Sequence, residues 1–588
     1  MRKYIAFLFI LFYACGSQNV TTKDTVSTPE GKDLIINEQL QNLKLKNEYG
    51  HFFSLKNGNE LIINVNTFKK PEHVYDLALS IPIKKDDYSA GSVFLLSFDG
   101  ITTKSSLETG EAKVRWILRQ SDKYAHNITK TLTIASNEWK TYYIPIQLTR
   151  NVAEKNLKLV IHFGFSPQSF LMKNLKFISY PKGTRLEDLP RTKIKYQGME
   201  LDAPWRKEAQ NRIEKIRKTD FNITFYQNGK PVSDAPVHLE LLKHEFLFGA
   251  TLTARDVVGK WMSYRKLKKD FNMIVLMNDL KIRQWIQQPK RELTLQAMEI
   301  IKEDSLVLKG HVLLWPSFHY MPKKLHYLKN KPAELQRYID SVQTDMLVKT
   351  KGYTQIWDIV NEAYTNTDFQ KITGSEEIIY KSFRKAKMIQ PSTKRFTNEY
   401  GIISNGGADQ KKQEWYYNFI KRIDKNTNGL VDGIGIQSHI GTDLTSPERI
   451  YEILNYYGQL GKEIAISEFT LDIEDPELRE RYTRDFMTMA FSHPHVTQFN
   501  FWGLVNKNHS KVDIYNPDGS WGSMGKAYID LTQKKWHTDI RQKTDNQGKI
   551  TGRGFYGTYR YSIELNGKTL TGKLKLSKGK DTQIRIEL

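Results

Sequence analysis

Two glutamates, Glu362 and Glu468, each end a short apolar segment of the sequence. The segments Trp357-Asp-Ile-Val-Asn-Glu362 and Ile464-Ala-Ile-Ser-Glu468 have the β-branched, apolar composition of buried parallel strands. A carboxylate at the end of a buried strand is costly unless it faces a cleft and has partners. Two such groups that converge on one site can split a glycosidic bond, since one protonates the leaving oxygen while the other attacks the sugar or activates water. Structural glutamates that form ion pairs are the alternative interpretation.

The region around these segments, residues 246–535, alternates strand-like and helix-like patterns. Ser446-Pro447-Glu448 is a typical helix start, and Gly461 closes the amphipathic segment that follows it. Eight strands that alternate with helices over this length predict a (β/α)8 barrel. The strand-like runs are residues 246–250, 271–276, 307–314, 356–360, 395–397, 433–436, 464–467 and 496–501.

The ends of the predicted strands are the place to look for chemistry, because a (β/α)8 barrel builds its active site at the carboxyl ends of its strands. Most residues found there are polar, which favours a functional site over a purely structural barrel. They are Asn278, His311, Asn361, Glu362, Asn398, Glu399, Gln437, His439, Glu468 and Trp502.

The sequences that flank the barrel predict β-sandwich domains, so the fold class is multidomain. Residues 33–185 are short alternating strands separated by turns, and they resemble the jelly-roll carbohydrate-binding modules of polysaccharide-degrading enzymes. A sandwich without a binding role is the alternative. Residues 186–220 form a basic connector. Residues 221–245 and 540–588 each supply part of a small transthyretin-like sandwich, and we expect the two parts to fold together around the inserted barrel.

The N-terminus has the pattern of an export signal, residues 1–15, followed by a polar linker, residues 16–32. Arg2 and Lys3 precede an apolar run that is too short to span a membrane, and Cys15 follows it. This position resembles the lipid-attachment site of bacterial lipoproteins. It predicts lipidation of Cys15 and an exported protein tethered to the cell surface or outer membrane. An ordinary signal peptide, with a periplasmic or secreted mature protein, is the alternative.

Composition and charge limit the classes of partner. The 588 residues include 88 Lys and Arg against 65 Asp and Glu, a formal net charge of +23. Such a charge is compatible with nucleic-acid binding. No helix-turn-helix, zinc-ligand or RNA-binding pattern accompanies it, so no nucleic-acid partner is expected. Cys15 is the single cysteine, which excludes a disulfide framework and a cysteine metal cluster. No obligate protein partner is indicated.

Five motifs occur in order along the barrel segment. Together they resemble glycoside hydrolase family ten, the retaining endo-β-1,4-xylanases, and the flanking sandwiches resemble the plant-type, multidomain members of that family. The motifs are Gly310-His-Val-Leu-Leu-Trp315, Trp357-Asp-Ile-Val-Asn-Glu-Ala363, Asp432-Gly-Ile-Gly-Ile-Gln-Ser-His439, Ser467-Glu468 and Phe501-Trp-Gly503.

The resemblance implies a role for each matching residue. Glu362 matches the acid/base and Glu468 the nucleophile of a double displacement that cleaves internal β-1,4-xylosidic bonds of xylan. His439 matches the residue that hydrogen-bonds the nucleophile, and Asn361 matches the residue that contacts the sugar 2-hydroxyl. No metal or organic cofactor is implied. The other implied substrate-binding residues are Asn278, Lys281, His311, Trp315, Gln437 and Trp502.

The sequence departs from the family pattern at positions that bear on the substrate. Met277 stands where the family carries a glutamate before Asn278, and Pro316 follows Trp315 where simple xylanases have histidine. These changes leave the reaction in place and leave open which polysaccharide is cut. The same mechanism on another β-linked polysaccharide, such as a decorated or algal glycan, is one alternative. A non-catalytic glycan-binding lipoprotein is the other, although the presence of both glutamates argues against it.

Overall fold

The computed structural model describes residues 30–588, except for 59, 106–111, 121–126, 135–138, 154–155, 193, 408, 442–443, 472, 474 and 507–510. The predicted signal peptide with Cys15, and most of the linker, therefore lie outside the described residues. The chain divides into two compact units with their main boundary between Lys193 and Ile194. Among the described helices, none combines the length and the hydropathy that a transmembrane helix requires.

The N-terminal unit consists almost entirely of β-strands. One short helix, α1 (Asn37–Leu40), lies among them. The strands are β1 (Lys32–Asp33), β2 (Lys44–Lys46), β3 (Gly50–Asn57), β4 (Glu60–Thr67), β5 (Ala78–Ile81), β6 (Val93–Ser105), β7 (Ala112–Arg119), β8 (Asn127–Ile134), β9 (Lys140–Gln147), β10 (Lys158–His162) and β11 (Gln168–Ser179).

These strands form two sheets. β1, β2, β3, β4, β6, β9 and β11 make the larger sheet, and β5, β7, β8 and β10 make the smaller one. Alternate residues of β11 are buried, which is the period-two pattern of a strand with one face on a core. Phe94 and Phe177 stack in that core with ring centroids 5.1 Å apart. A binding role for this unit stays a prediction.

The C-terminal unit begins with a helix and three strands. The helix α2 (Pro204–Arg217) starts with proline at its first turn, where the missing N–H costs nothing. The guanidinium of Arg206 donates two hydrogen bonds, of 2.6 and 2.7 Å, to the carboxylate of Asp485, which fastens the helix to the barrel. The strands are β12 (Lys218–Gln227), β13 (Lys230–Pro231) and β14 (Pro236–His244).

The middle of this unit is a closed barrel of eight parallel strands with one short additional strand. The strands are β15 (Leu247–Leu252), β16 (Met273–Leu276), β17 (Val307–Leu314), β18 (Thr354–Asn361), β19 (Lys394–Glu399), β20 (Gly433–Ile436), β21 (His439–Ile440), β22 (Glu463–Leu471) and β23 (Val496–Phe501). The short β21 aside, they pair in chain order, and β23 pairs back with β15. β16 and β20 are buried along their whole length, because helices cover the outside. The predicted (β/α)8 barrel is confirmed.

Helices connect the barrel strands. Ser446 accepts a hydrogen bond from the N–H of Arg449 and so caps the helix whose start the sequence predicts. The helices are α3 (Ala254–Val258), α4 (Met262–Asp270), α5 (Ile282–Trp285), α6 (Gln288–Glu303), α7 (Pro332–Lys349), α8 (Asp368–Thr373), α9 (Glu377–Ile389), α10 (Gln410–Asn426), α11 (Pro447–Gly458), α12 (Pro476–Phe491) and α13 (Ser523–Asp530).

The chain ends in further strands that pair with the strands preceding the barrel. β12 pairs with β25 and β28, and β14 pairs with β24 and β26. One continuous hydrophobic core runs through these sheets and the barrel. Phe491 of α12 stacks on Trp536 at 4.1 Å and approaches Phe555 at 6.3 Å. The strands are β24 (Asp539–Lys543), β25 (Lys549–Phe555), β26 (Gly557–Leu565), β27 (Lys568–Leu576) and β28 (Gln583–Glu587).

Candidate active site at the carboxyl ends of the barrel strands

Glu468 lies in β22 near the carboxyl end of the barrel, with only 4% of its surface exposed. The apolar residues before it, Ile464 and Ile466, are buried in the wall and fix the strand. The carboxylate has a partner on each oxygen. Asn398 donates to Oε1 at 2.7 Å, and Nε2 of His439 lies 3.3 Å from Oε2. A buried carboxylate with two such partners is satisfied in its ionised form.

The surroundings of Glu468 favour its charged form. Burial by itself would raise the pKa of this carboxyl group. The hydrogen bond from His439, the nearby His311 and the hydrogen bond from Asn398 act in the opposite direction, and the pKa lies below its usual value. Glu468 is therefore ionised near neutral pH.

His439 is positioned by the two-residue strand β21, which runs beside the end of β22. His439 pairs in register with Thr470, and the imidazole Nδ1 lies 3.0 Å from the Thr470 hydroxyl. The other ring nitrogen therefore points to Glu468. Thr470 and Glu468 are two residues apart on one strand, so the imidazole is held on the same face as the carboxylate.

Glu362 directly follows β18 and is half-buried. Its backbone has a φ of 52°, in the left-handed region that is uncommon outside glycine. The N–H of Glu362 donates to the carbonyl of Asn398 at 2.9 Å, and Nδ2 of Asn366 donates to the carbonyl of Glu362. Nε2 of Gln437 donates to carboxylate Oε1 at 3.0 Å. These bonds hold an unusual backbone conformation that turns the side chain away from the strand.

Asn361 connects the surroundings of the two glutamates. Its Oδ1 accepts hydrogen bonds from Asn398 at 2.9 Å and from Gln437 at 3.3 Å, and these two residues also donate to Glu468 and Glu362 respectively. The side chain is fully buried. Its Nδ2 has no hydrogen-bond partner within the described part of the chain. One hydrogen-bonded cluster thus contains both carboxyl groups and one free donor.

Aromatic rings and a lysine form another wall of the same site. Trp315 stacks on Tyr320 with the ring centroids 3.4 Å apart. The ammonium of Lys281 lies 5.0 Å from the ring of Trp315 and 5.9 Å from that of Trp502, and it donates to Oδ1 of Asn278 at 2.9 Å. Burial lowers the pKa of Lys281, although Glu468 and Glu362 oppose this shift. Flat rings beside polar groups suit the faces and hydroxyls of a sugar.

His311 is buried inside the barrel, with 1% of its surface exposed. Its Nδ1 is 3.0 Å from Oδ2 of Asp358 and 4.0 Å from Oε1 of Glu468. Asp358 also pairs with the buried Lys309 at 2.9 Å. The ring of Trp502 covers His311 edge-on at 5.1 Å. His311 therefore supports Glu468 from inside the barrel.

Residues 239–515 match the family model described as glycosyl hydrolase family 10. This segment is a glycosyl hydrolase family 10 domain. The match includes every strand of the barrel and every residue of the site described above. The sheets that flank the barrel lie mostly beyond the match.

Curated proteins with similar sequences include xylanases and one regulatory protein. Anti-sigma-I factor RsgI6 of Acetivibrio thermocellus is 27% identical over 392 residues, covering 64% of this chain and 49% of that protein. Endo-1,4-beta-xylanase 1 of Arabidopsis thaliana is 24% identical, covering 61% of this chain and 38% of that protein. Endo-1,4-beta-xylanase A of Caldicellulosiruptor sp. is 28% identical, covering 48% and 46% respectively. The chain spans less than half the length of each.

Solved structures with a similar fold also align with the barrel half of the chain. Xylanase 10B from Thermotoga petrophila, in complex with xylobiose, aligns with a TM-score of 0.44 and 21% identity over 50% of this chain and 95% of that chain. A family 10 endoxylanase from a sugarcane soil metagenome aligns with a TM-score of 0.42 and 19% identity over 49% and 97%.

The family 10 domain brings all the sequence-predicted site residues to one end of the barrel. Asn398 and Glu399 are polar strand-end residues to which the sequence reasoning assigned no role, and Tyr320 was not predicted at all. Asn398 contacts Glu468 directly. Glu399 lies behind Glu362, where one oxygen accepts from the N–H of Tyr364 at 3.2 Å. For Asn398 and Glu399, only the position at a strand end could have indicated a role.

Glu399 forms a buried ion pair beside the site. Nζ of Lys412 lies 2.9 Å from its Oε1, and both side chains are at most 4% exposed. Burial raises the pKa of Glu399 to about 7, against the opposing effect of Lys412. Through the N–H of Tyr364, this pair contacts the loop that carries Glu362.

Possible metal ligands come together elsewhere in the described part of the chain. Glu240, His537 and Asp539 offer ligand atoms within 4.8 Å of one another on the small sandwich. Glu240 is bonded to Arg560, and Asp539 is paired with His238. Glu240 and Asp539 thus already have partners outside the group, and the group is not part of the barrel site.

Proposed function

We propose that this chain is a retaining glycoside hydrolase that cleaves internal β-1,4-xylosidic bonds of xylan. Glu468 acts as the nucleophile and Glu362 as the acid/base. The observation that carries the proposal is the contrast between the two carboxyl groups in one cluster. Glu468 is buried and held ionised by His439 and Asn398. Glu362 is half-buried, and its carboxyl group accepts hydrogen bonds from two neutral amides, Gln437 at 3.0 Å and Asn366 at 3.5 Å. Double displacement needs one carboxylate and one carboxylic acid.

The first step joins Glu468 to the sugar. A carboxylate oxygen of Glu468 attacks the anomeric carbon, the glycosidic C–O bond breaks, and Glu362 gives its proton to the departing oxygen. In the second step Glu362 takes a proton from water, whose oxygen displaces Glu468 from the anomeric carbon. Each carboxyl group ends in its starting state, so the cycle needs no other reactant.

The free amide donor of Asn361 supports a sugar as the substrate. Its Nδ2 is buried without a partner in the described residues, while its Oδ1 is held by two donors. A buried donor is costly when it has no acceptor. A sugar hydroxyl next to the reacting carbon would accept this hydrogen bond, which strengthens as the transition state forms.

Xylan as the substrate is supported by the names of the relatives. Those from Arabidopsis thaliana and Caldicellulosiruptor sp. are endo-1,4-beta-xylanases. We extend that substrate to this chain because its barrel residues lie within the matched family segment. We further propose a plant-type, multidomain form of the enzyme whose N-terminal sandwich binds polysaccharide.

Attachment to the cell surface is a separate proposal. It rests on the order of Arg2, Lys3, the apolar run and Cys15 in the sequence. Labelling of expressing cells with a clickable fatty acid, for wild type beside Cys15→Ala, tests it. Label on the wild type alone supports lipidation, and equal label in both contradicts it.

The proposed reaction is tested by product release from a panel of β-glycans. Wild type and Glu468→Ala are compared on linear xylan, glucuronoxylan, mixed-linkage algal xylan, β-glucan and arabinogalactan. Release of several sizes of xylo-oligosaccharide by the wild type alone is the expected result. If only another polymer is cleaved, the proposed mechanism stands and the proposed substrate is wrong. If Glu468→Ala is as active as the wild type, the assignment of the nucleophile is wrong.

A further inference from the structure

A cavity of about 400 Å³ continues from the site along the side of Asn278, Lys281 and Trp315. Beyond these residues its lining comes from α5, from the first turn of α6 and from Val312, Tyr320 and Met321. Arg283 and Lys290 contribute the charged groups there, and Gln284 and Gln287 contribute amides. The inner end of the cavity is therefore bordered by residues of the proposed substrate-binding site, and its lining includes neither Glu362 nor Glu468.

The charges that line this cavity have one sign. Lys281, Arg283 and Lys290 are basic, and none of its described lining residues is acidic. Lys281 faces Glu468, Glu362 and Asp279, so its charge is offset at the inner end. Met277, which precedes Asn278, adds no charge. The positive charge is thus unbalanced only at the outer end.

The two outer cations are available to a ligand. Arg283 is exposed, and its guanidinium makes no ion pair with any residue that the structure describes. Lys290 is exposed, and its Nζ donates to the neutral Oε1 of Gln284 at 2.6 Å. Glu292, on the same helix, accepts from Gln288 instead. An arginine with five free donors matches a planar carboxylate in two parallel hydrogen bonds.

We propose that this cavity binds an anionic substituent of the polysaccharide, the carboxylate of a uronic acid side group, through Arg283 and Lys290. The inference rests on the proposed function for the identity of the polymer, and it adds which substituent of that polymer the enzyme selects. A neutral backbone sugar occupies the inner part of the cavity, beside Trp315 and Lys281. The acidic side group then reaches the outer cations.

The kinetic test uses two polymers of the same shape. Glucuronoxylan is compared with the same polymer after chemical reduction of its carboxyl groups to alcohols. We expect kcat/KM of the wild type to be roughly tenfold higher on the acidic polymer, the size of one charge-assisted hydrogen bond at a partly exposed site. Added salt lowers this ratio because it screens the attraction.

The variants localise the effect. The double variant Arg283→Gln/Lys290→Gln is expected to bring the ratio close to one without lowering kcat/KM on the reduced polymer. Arg337→Gln, which removes an exposed arginine of α7 outside the cavity, is the matched control and keeps the ratio. The inference is overturned if the ratio of kcat/KM on the two polymers is one for the wild type, or if the double variant leaves this ratio unchanged. Cleavage of both polymers would still support the proposed function in either case.

Binding provides an independent measurement if neither polymer is cut, in which case the proposed function fails. Calorimetric titration of the full chain compares xylotetraose with xylotetraose that carries one uronic acid. Tighter binding of the acidic compound that is lost in the double variant supports the cavity inference on its own. Equal binding of the two, or none, overturns it. Equally tight binding of a sulfated xylotetraose would overturn the assignment to a carboxylate.

Discussion

Nδ2 of Asn398 donates a hydrogen bond of 2.7 Å to Oε1 of Glu468. The amide is oriented by Ser467, whose hydroxyl donates to Oδ1 of Asn398 at 2.6 Å. Asn398 reaches the glutamate from a strand that is not adjacent to β22, across the end of the barrel. The contact thus ties the proposed nucleophile to the strand next to the proposed acid/base.

Substitution of Asn398 by alanine should impair catalysis. A hydrogen bond to a charged group contributes about 1.5–3 kcal/mol, so Asn398→Ala should lower kcat/KM on xylan by roughly 10- to 100-fold. Ser467→Ala leaves the amide in place and loosens its orientation, so a smaller loss is expected. Steady-state kinetics, with thermal unfolding as the check on folding, measure both. Full activity of Asn398→Ala would contradict a supporting role for this contact.

The hydrogen bond from His439 should set the low-pH limit of activity. The reaction needs ionised Glu468, so kcat/KM falls as the pH drops through the lowered pKa of this group. Removal of the imidazole in His439→Asn takes away the largest of the effects that oppose burial, so the pKa of Glu468 rises. The acid limb of the pH profile should therefore move to higher pH.

The matched variant for His439 is Thr470→Val. It removes the partner of Nδ1 and keeps the imidazole beside Glu468. We expect a smaller movement of the acid limb than in His439→Asn. An acid limb that stays in place in both variants would show that His439 does not control the charge of Glu468.

The buried pair of Glu399 and Lys412 should be important for stability. Lys412→Met leaves a buried carboxyl group without its partner, and we expect a loss of about 3–5 kcal/mol in the free energy of unfolding. The folded-state pKa of Glu399 is already raised to about 7 and rises further without the lysine. A glutamate whose pKa is higher in the folded than in the unfolded state stabilises the folded protein at pH values below its unfolded pKa. This contribution is lost as the pH rises through the folded-state pKa. The loss should therefore be larger at pH 8 than at pH 5.

The neutral double variant tests the electrostatic origin of this effect. Lys412→Met/Glu399→Gln removes both charges and should recover most of the lost stability. Urea unfolding at the two pH values measures all three proteins. A loss that is independent of pH, or that persists in the double variant, would indicate a packing effect instead.

The role of Glu362 as an acid should depend on the leaving group. Glu362→Gln is expected to lower kcat on xylan by about 10²- to 10⁴-fold, because the departing sugar oxygen needs a proton. On a dinitrophenyl xylobioside the leaving group needs none, so the first step should stay fast and release a burst of dinitrophenolate. Glu468→Gln should show neither turnover nor burst. Equal losses of Glu362→Gln on both substrates would contradict the acid role.

The barrel was predictable from sequence because its strands are continuous apolar runs that parallel packing buries on both faces. The run at 433–436 coincides with β20, and the run at 307–314 coincides with β17. The run predicted from Phe271 begins two residues later in the structure, as β16. The side chain of Asn272 instead accepts a hydrogen bond from the N–H of Phe248 in β15. Such a strand boundary depends on the hydrogen-bond partner of a side chain, which the periodicity of the local sequence does not predict.

Strand periodicity and the apolar runs were enough to predict which side chains lie at or near the carboxyl ends of the barrel strands. Glu362, Glu468 and His439 are all found at that position. How these residues pair, in contrast, depends on the three-dimensional fold. The contact of Asn398 with Glu468, and that of Glu399 with Lys412, join segments that barrel closure and strand register bring together. The basic outer cavity likewise exists only because the short helix α5 and the first turn of α6 fold beside the same strand ends.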